Sequence, residues 1–383
     1  MEDTSNMRDE RLEKLAKLLV NYSTEVKPGD FVYIRADEVA TPWAKAVTRE
    51  AVKAGGHVEV VLTSDEISEV ILKESTEDQL KVGNLINETL LARADVWLTA
   101  WGSRNVKYAS NVSSDKIKFS AIGAKGWRKF YSERMGDGSL RWCGTQFPTM
   151  GDAQEAGMSL EEYEDFVYGA GLLHMEDPVK EWKRISLEQA RWIAYLNTKK
   201  SIRIVAEETD VTASVEGRTW ENCDGKVNFP DGEIFTSPVE DAVNGHVYFE
   251  FPLIYSGKEI QGIRIKIENG RIVEASAEKG EELLSTILDT DEGARTFGEL
   301  AIGTNYGIKN ISKNILFDEK IGGTFHMAIG DSFPEAGGKN RSVIHWDMIG
   351  ELRRNGKIYA DGELFHENGQ FIEDVLLEFE KNK

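Results

Sequence analysis

The sequence predicts an α/β N-terminal domain with a mostly parallel sheet over residues 1–197, followed by an α+β domain rich in antiparallel strands over residues 198–383. Three observations predict it. The length of 383 residues exceeds what one hydrophobic core ordinarily organises. The N-terminal half alternates short apolar strands with helical stretches, which implies crossover connections and a sheet covered on both faces. From Ser201 onward the apolar residues recur with period two and hairpin signals appear between them.

Each element has its own warrant. Leu12, Leu15, Leu19 and Tyr22 recur at helical spacing, and Lys27-Pro28-Gly29-Asp30 ends that helix. A strand from Phe31 to Arg35, a helix from Pro42 to Ala54, the pair Gly55-Gly56 and a strand from Val58 to Leu62 follow. After another helical stretch comes the strand Asp95–Thr99. No G-x-G-x-x-G follows the first strand and no phosphate-loop motif occurs, so the sheet is expected to shape and support rather than to hold a dinucleotide. A long polar helical region ends near Asn197. Ile202–Val205, Val247–Phe251 and Ile263–Ile267 then read as half-buried strands. Asn269-Gly270, Asp361-Gly362 and Asn368-Gly369 are turn signals, and the basic tail with Lys381 and Lys383 is expected to fray.

Charge and cysteine usage exclude several classes. Lys and Arg number 46 against 66 Asp and Glu, a balance of -20 that repels phosphate backbones and anionic lipid surfaces. Nucleic acid and membranes are therefore not expected partners. Cys143 and Cys223 form no C-x-x-C, which speaks against a disulfide framework and a thiolate zinc site. Met1–Lys17 lacks the apolar run of a signal peptide, and no stretch reaches a membrane span, so a cytoplasmic protein is expected.

G-x-S-x-G and H-E-x-x-H are both absent and neither cysteine sits in a protease signature, which leaves covalent serine or cysteine catalysis without support. Of the six histidines, His57, His174, His246 and His366 read as structural or solvent-facing. His345-Trp346-Asp347 lies in an apolar frame. On a strand its imidazole and carboxylate share one face, which suits either a ligand pair or a buried histidine bonded to its neighbour. His326 lies nineteen residues upstream in a second apolar strand with glycines, and a loop of turn formers joins the two. Glu233, Glu299 and Glu319 sit in motifs nearby. Carboxylates and imidazoles without thiolates suit zinc, cobalt or manganese, and a carboxylate-rich set favours two ions, since one carboxylate can bridge them. Spacing alone does not assemble these residues.

The ordered set Asn228-Phe229-Pro230-Asp231-Gly232-Glu233-Ile234-Phe235-Thr236, Gly298-Glu299-Leu300-Ala301-Ile302-Gly303, Phe317-Asp318-Glu319-Lys320, Gly323-Thr324-Phe325-His326 and Ile344-His345-Trp346-Asp347 resembles the thermophilic metallo-aminopeptidase family, of aminopeptidase T or aminopeptidase S type. The resemblance implies that Glu233, Glu299, Glu319, His326, His345 and Asp347 bind two divalent ions, zinc or cobalt with manganese as an alternative. It gives Glu299 the proton-carrying role and makes Glu299 and Asp347 candidates for shared ligation. It implies hydrolysis of the N-terminal peptide bond of peptides with a free N-terminus, by a cytoplasmic homodimer. One position departs from the pattern: seven residues after His326, where the family typically carries tyrosine, stands Phe333. Two alternatives stay open: a two-metal amidase or esterase on a small molecule, which keeps the metals and changes the substrate, and a catalytically impaired peptide-binding homologue, for which Phe333 is the only sequence support. Tyr306 is a conceivable substitute donor.

Overall fold

The structure, a computed structural model, describes residues 9–255 and 258–382. Residues 1–8, part of the leader-free start expected from the sequence, and Lys383 of the tail lie outside the described residues. The chain divides into two compact units. One comprises the described part of Met1–Glu181 with Gly225–Pro230, the other Trp182–Asp224 with the described part of Asp231–Lys383.

The first unit is built on a five-stranded, wholly parallel sheet. Its order is His57–Thr63, Phe31–Asp37, Val96–Trp101, Arg141–Gln146 and Asn228–Phe229. The expected helix after the first strand runs Thr41–Lys53, with Pro42 in its first turn, where a missing N–H costs nothing. Arg141–Gln146 is a strand not expected from the sequence. Its sequence Arg-Trp-Cys-Gly-Thr-Gln has too little apolar alternation to announce a strand, yet its last four residues are buried.

The second unit is antiparallel. A nine-stranded sheet includes Ser201–Ala206, Thr209–Ser214, Val243–Phe249 and Lys258–Glu268, the last paired with Arg271–Lys279. The Asn269-Gly270 turn closes that hairpin, with Asn269 at φ 49° and Gly270 at φ 76°. A five-stranded sheet follows the order His345–Glu351, Thr324–Gly330, Phe297–Gly303, Glu233–Thr236 and Glu221–Cys223. Ile202, Ile204, Val247 and Phe249 of the larger sheet share one core with Leu300, Ile302, Phe325, Met327 and Met348 of the smaller. The C-terminal residues form a helix, Glu373–Lys381, so Lys381 is folded where fraying was expected. No helix among the described residues is long and apolar enough to cross a membrane.

Candidate metal centre

The five-stranded sheet of the second unit turns an apolar face to the core and a polar face the other way. Strand alternation sorts Ile234, Leu300, Ile302, Met327, Met348 and Trp346 into the core. The opposite face then carries Glu233, Glu299, His326, His345 and Asp347. Register aligns them: Glu299 pairs with Ala328, and Ala328 pairs with Asp347 on its other side. Ala328, fully buried, thus forms a small floor between two carboxylates.

A bulge makes the alternation work. Phe297 pairs with Ile329 and Glu299 with Ala328, so two residues of one strand advance against one of its neighbour. Phe297 therefore faces the core although Glu299, two residues on, faces the site. Gly298 sits at the bulge. A Cβ there would lie 2.2 Å from the Asp331 carbonyl oxygen. That carbonyl has a second task, since His345 Nδ1 lies 2.8 Å from it.

The two imidazoles are oriented alike. His326 Nδ1 lies 3.0 Å from the backbone oxygen of Glu319. A carbonyl oxygen only accepts, so each Nδ1 carries the proton, and each Nε2 points into the carboxylate cluster. His345 Nε2 lies 3.0 Å from Glu299 Oε2 and 3.5 Å from Asp347 Oδ1. His326 Nε2 lies 3.6 Å from Glu299 Oε1, 3.5 Å from Glu233 Oε2 and 3.9 Å from Asp347 Oδ1. Glu299 and Asp347 thus each stand between both imidazoles. Ligand-capable atoms of Glu299, His326 and Asp347 all fall within 4.8 Å of one another.

Electrostatics favours a cation here. Burial disfavours the imidazolium of His326, but hydrogen bonding and charge from Glu299, with Glu233 and Asp347, outweigh it and push the group up to about 10. Burial is likewise outweighed at His345, where Asp347 and Glu299 push it up to about 12. Burial would raise Asp347, yet the two histidines hold its carboxyl below the usual range. Burial raises the Glu233 carboxyl, with Lys320 opposing. Glu233 Oε2 and Asp347 Oδ1 are buried with no hydrogen-bond partner among the described residues. Buried acceptors left unmatched, beside oriented Nε2 atoms, fit a divalent cation, which would displace the imidazole protons on binding.

Glu319 is placed differently from the other five. Its carboxylate accepts from Lys320 Nζ and forms no ion pair with either histidine, while its backbone oxygen orients His326. Lys320, fully buried, also stands 3.7 Å from Glu233 Oε1. Sequence reasoning gave Lys320 no role, although a lysine inside an otherwise apolar and acidic motif was a signal. It also passed over Gln189, whose amide donates to the Glu233 carbonyl at 2.7 Å. Cys223, Asp231 and Glu233 form a second ligand-capable group that no spacing motif announced. Phe333 lies against Phe235 and, edge to face, against His345 at 5.0 Å between centroids. Tyr306 donates its hydroxyl to the Gly369 carbonyl at 2.9 Å.

Residues 8–371 match the model of the thermophilic metalloprotease family, M29. The chain belongs to that family. This metalloprotease is 26% identical to aminopeptidase 2 of Geobacillus stearothermophilus, over 91% of its own length and 94% of the relative's. It is 28% identical to aminopeptidase T of Thermus thermophilus, over 92% and 95% of the two chains. A solved structure described as wild-type AmpT from Thermus thermophilus superposes with a TM-score of 0.83 at 26% identity, covering 94% of the metalloprotease and 99% of that chain.

Proposed function

We propose that the protein is an aminopeptidase whose metal centre is formed by Glu233, Glu299, His326, His345 and Asp347, with Glu319 beside it. Family membership makes it a metal-dependent peptidase, and the relatives named as aminopeptidases supply the reaction class. The observation that carries the site is the pair of carboxylates, Glu299 and Asp347, each flanked by both imidazoles with Nδ1 already tied to a carbonyl. That arrangement favours two ions, and its carboxylate and imidazole donors suit zinc or cobalt, with manganese as the alternative.

When bound, such ions supply Lewis acidity toward water and a peptide carbonyl. The protein supplies the rest. Glu299 holds a proton between water and the leaving amine; where its oxygens are engaged in ligation, Glu319 is the nearby carboxylate able to share that task, its acidity weakened by burial. Lys320 holds Glu319 and Glu233 in place and offsets part of their charge. The net charge of the whole chain, -20, draws the ammonium of a free N-terminus toward the protein. The resemblance carries the homodimer and the cytoplasmic compartment, and both belong to this proposal.

Metal-stripped protein given zinc, cobalt or manganese should regain hydrolysis of free-amine peptides and leave their N-acetylated forms intact, while His345→Ala regains nothing. Absence of metal-dependent cleavage in the wild type, or equal cleavage of acetylated peptides, overturns the proposal.

A further inference from the structure

The first unit holds a cavity lined by none of the proposed metal ligands. It measures about 420 Å³, within the range of small-ligand pockets, and is bounded by one face of the parallel sheet and the helix Lys125–Gly136. Strand alternation builds the sheet side. Arg35 pairs with Thr99, and Trp97 pairs with Trp142, so these residues share a face with Trp101. Gly144, the partner of Thr99, completes it: a Cβ there would lie 2.3 Å from the Trp101 ring. Only glycine leaves that indole room to lie over the sheet. The helix adds Trp127 and Tyr131.

The position is one that sheet topology favours. Phe31–Asp37 has His57–Thr63 on one side and Val96–Trp101 on the other, so the order reverses between Phe31–Asp37 and Val96–Trp101. In open parallel sheets, ligands bind beyond the carboxyl ends of strands at such a switch point. Arg35 and Thr99 lie toward those ends of the two strands, whereas Trp97 and Trp142 lie nearer the amino ends of theirs, so the cavity runs along the sheet face up to the switch point.

The lining is chemically one-sided. It carries Arg35 and Arg128 and no carboxylate, in a chain of net charge -20. Arg35 makes no hydrogen bond or ion pair with any described residue, and its Nε is buried without an acceptor. The indole N–H groups of Trp97 and Trp142 are buried without acceptors as well. A purely structural aromatic core needs no guanidinium, and an unpaired one beside unmatched donors disfavours the empty state. Aromatic walls accept a flat ring by stacking or edge contact, and a guanidinium accepts a carboxylate through two parallel hydrogen bonds.

We propose that this cavity binds a small aromatic carboxylate, its ring among the tryptophans and its anion on Arg35. The same chemistry is offered by a free aromatic acid and by the C-terminal aromatic residue of a peptide. The proposal is independent of the metal centre.

The test is ligand-observed fluorine NMR on the full chain, with 4-fluorocinnamate and its uncharged amide as probes. The acid should bind, the amide and the Arg35→Met variant should each show roughly tenfold weaker binding, and His345→Ala should bind the acid as the wild type does. Displacement by acetyl-Gly-Gly-Phe, whose blocked N-terminus resists an aminopeptidase, assigns the peptide C-terminus as the source; binding without displacement assigns the free acid. Should Arg35→Met fail to fold, the acid and amide compared on the wild type still decide. No binding by the wild type up to about 5 mM, equal binding of acid and amide, or loss of binding in His345→Ala overturns the proposal.

Discussion

Phe333 presents its ring to His345 at an interplanar angle of 73°, and it occupies the position where the resemblance expects a phenol. A phenylalanine there excludes water from one side of the imidazole but offers no hydrogen to an oxygen that gains charge during peptide hydrolysis. Tyr306 does not supply the missing donor in this arrangement, because its hydroxyl is committed to the Gly369 carbonyl. Phe333→Tyr adds one oxygen to a ring already seated against Phe235 and His345. Turnover of a free-amine peptide should rise by roughly a hundredfold or more with KM little altered, the reverse of what deleting one such donor costs. Steady-state kinetics on the metal-loaded pair of proteins checks this. Equal turnover would mean that the phenol position is not part of this protein's chemistry.

Strands and their irregularities decide where those side chains go, and this is where sequence reading reached its limit. The i, i+2 relation of His345 and Asp347 was legible, because one strand fixes it. The approach of Glu299 to both histidines was not, since Phe297 and Glu299 obey opposite faces only through the bulge at Gly298, which no periodicity reports. Lys320 and Gln189 were hidden for a related reason: their roles depend on contacts across long sequence separation, with Glu233 in both cases. The bulge yields its own prediction. In Gly298→Ala the new methyl collides with the Asp331 carbonyl, the group that fixes the proton on His345 Nδ1. Displacing such an orienting partner typically weakens metal binding by roughly 10–100-fold. Calorimetric titration of the stripped variant with zinc should show that loss while the fold, followed by circular dichroism, persists. Wild-type affinity in Gly298→Ala would show that the carbonyl does not govern the histidine.

At the scale of the whole molecule, the alternation of strand and helix predicted the parallel sheet, and the three Asn-Gly or Asp-Gly pairs predicted hairpins that the second unit contains, with Asp361 and Asn368 at φ 49° and 51°. What escaped was the strand Arg141–Gln146, too polar to declare itself. His366, expected to be structural or solvent-facing, is structural: it is fully buried, with its ring edge-on to Phe371 and neither nitrogen hydrogen-bonded among the described residues. Burial in apolar surroundings disfavours the imidazolium and lowers the group to about 4. Its ordinary value is 6.5. Between those values the unfolded chain binds a proton that the folded chain refuses, so stability rises with pH across that window. The contribution is complete above about 6.5 and is lost as pH falls toward about 4. By about pH 4.5 the loss amounts to roughly 2–3 kcal/mol. His366→Phe keeps an aromatic ring in the same packing and removes the titration. Denaturant unfolding of the two proteins at about pH 7 and about pH 4.5, followed on the second unit, should therefore show a smaller acid loss in the variant by that amount. An identical loss in both would place the acid sensitivity of this sheet elsewhere, in carboxylates such as Asp361 and Glu363 whose hydrogen bonds hold them ionised.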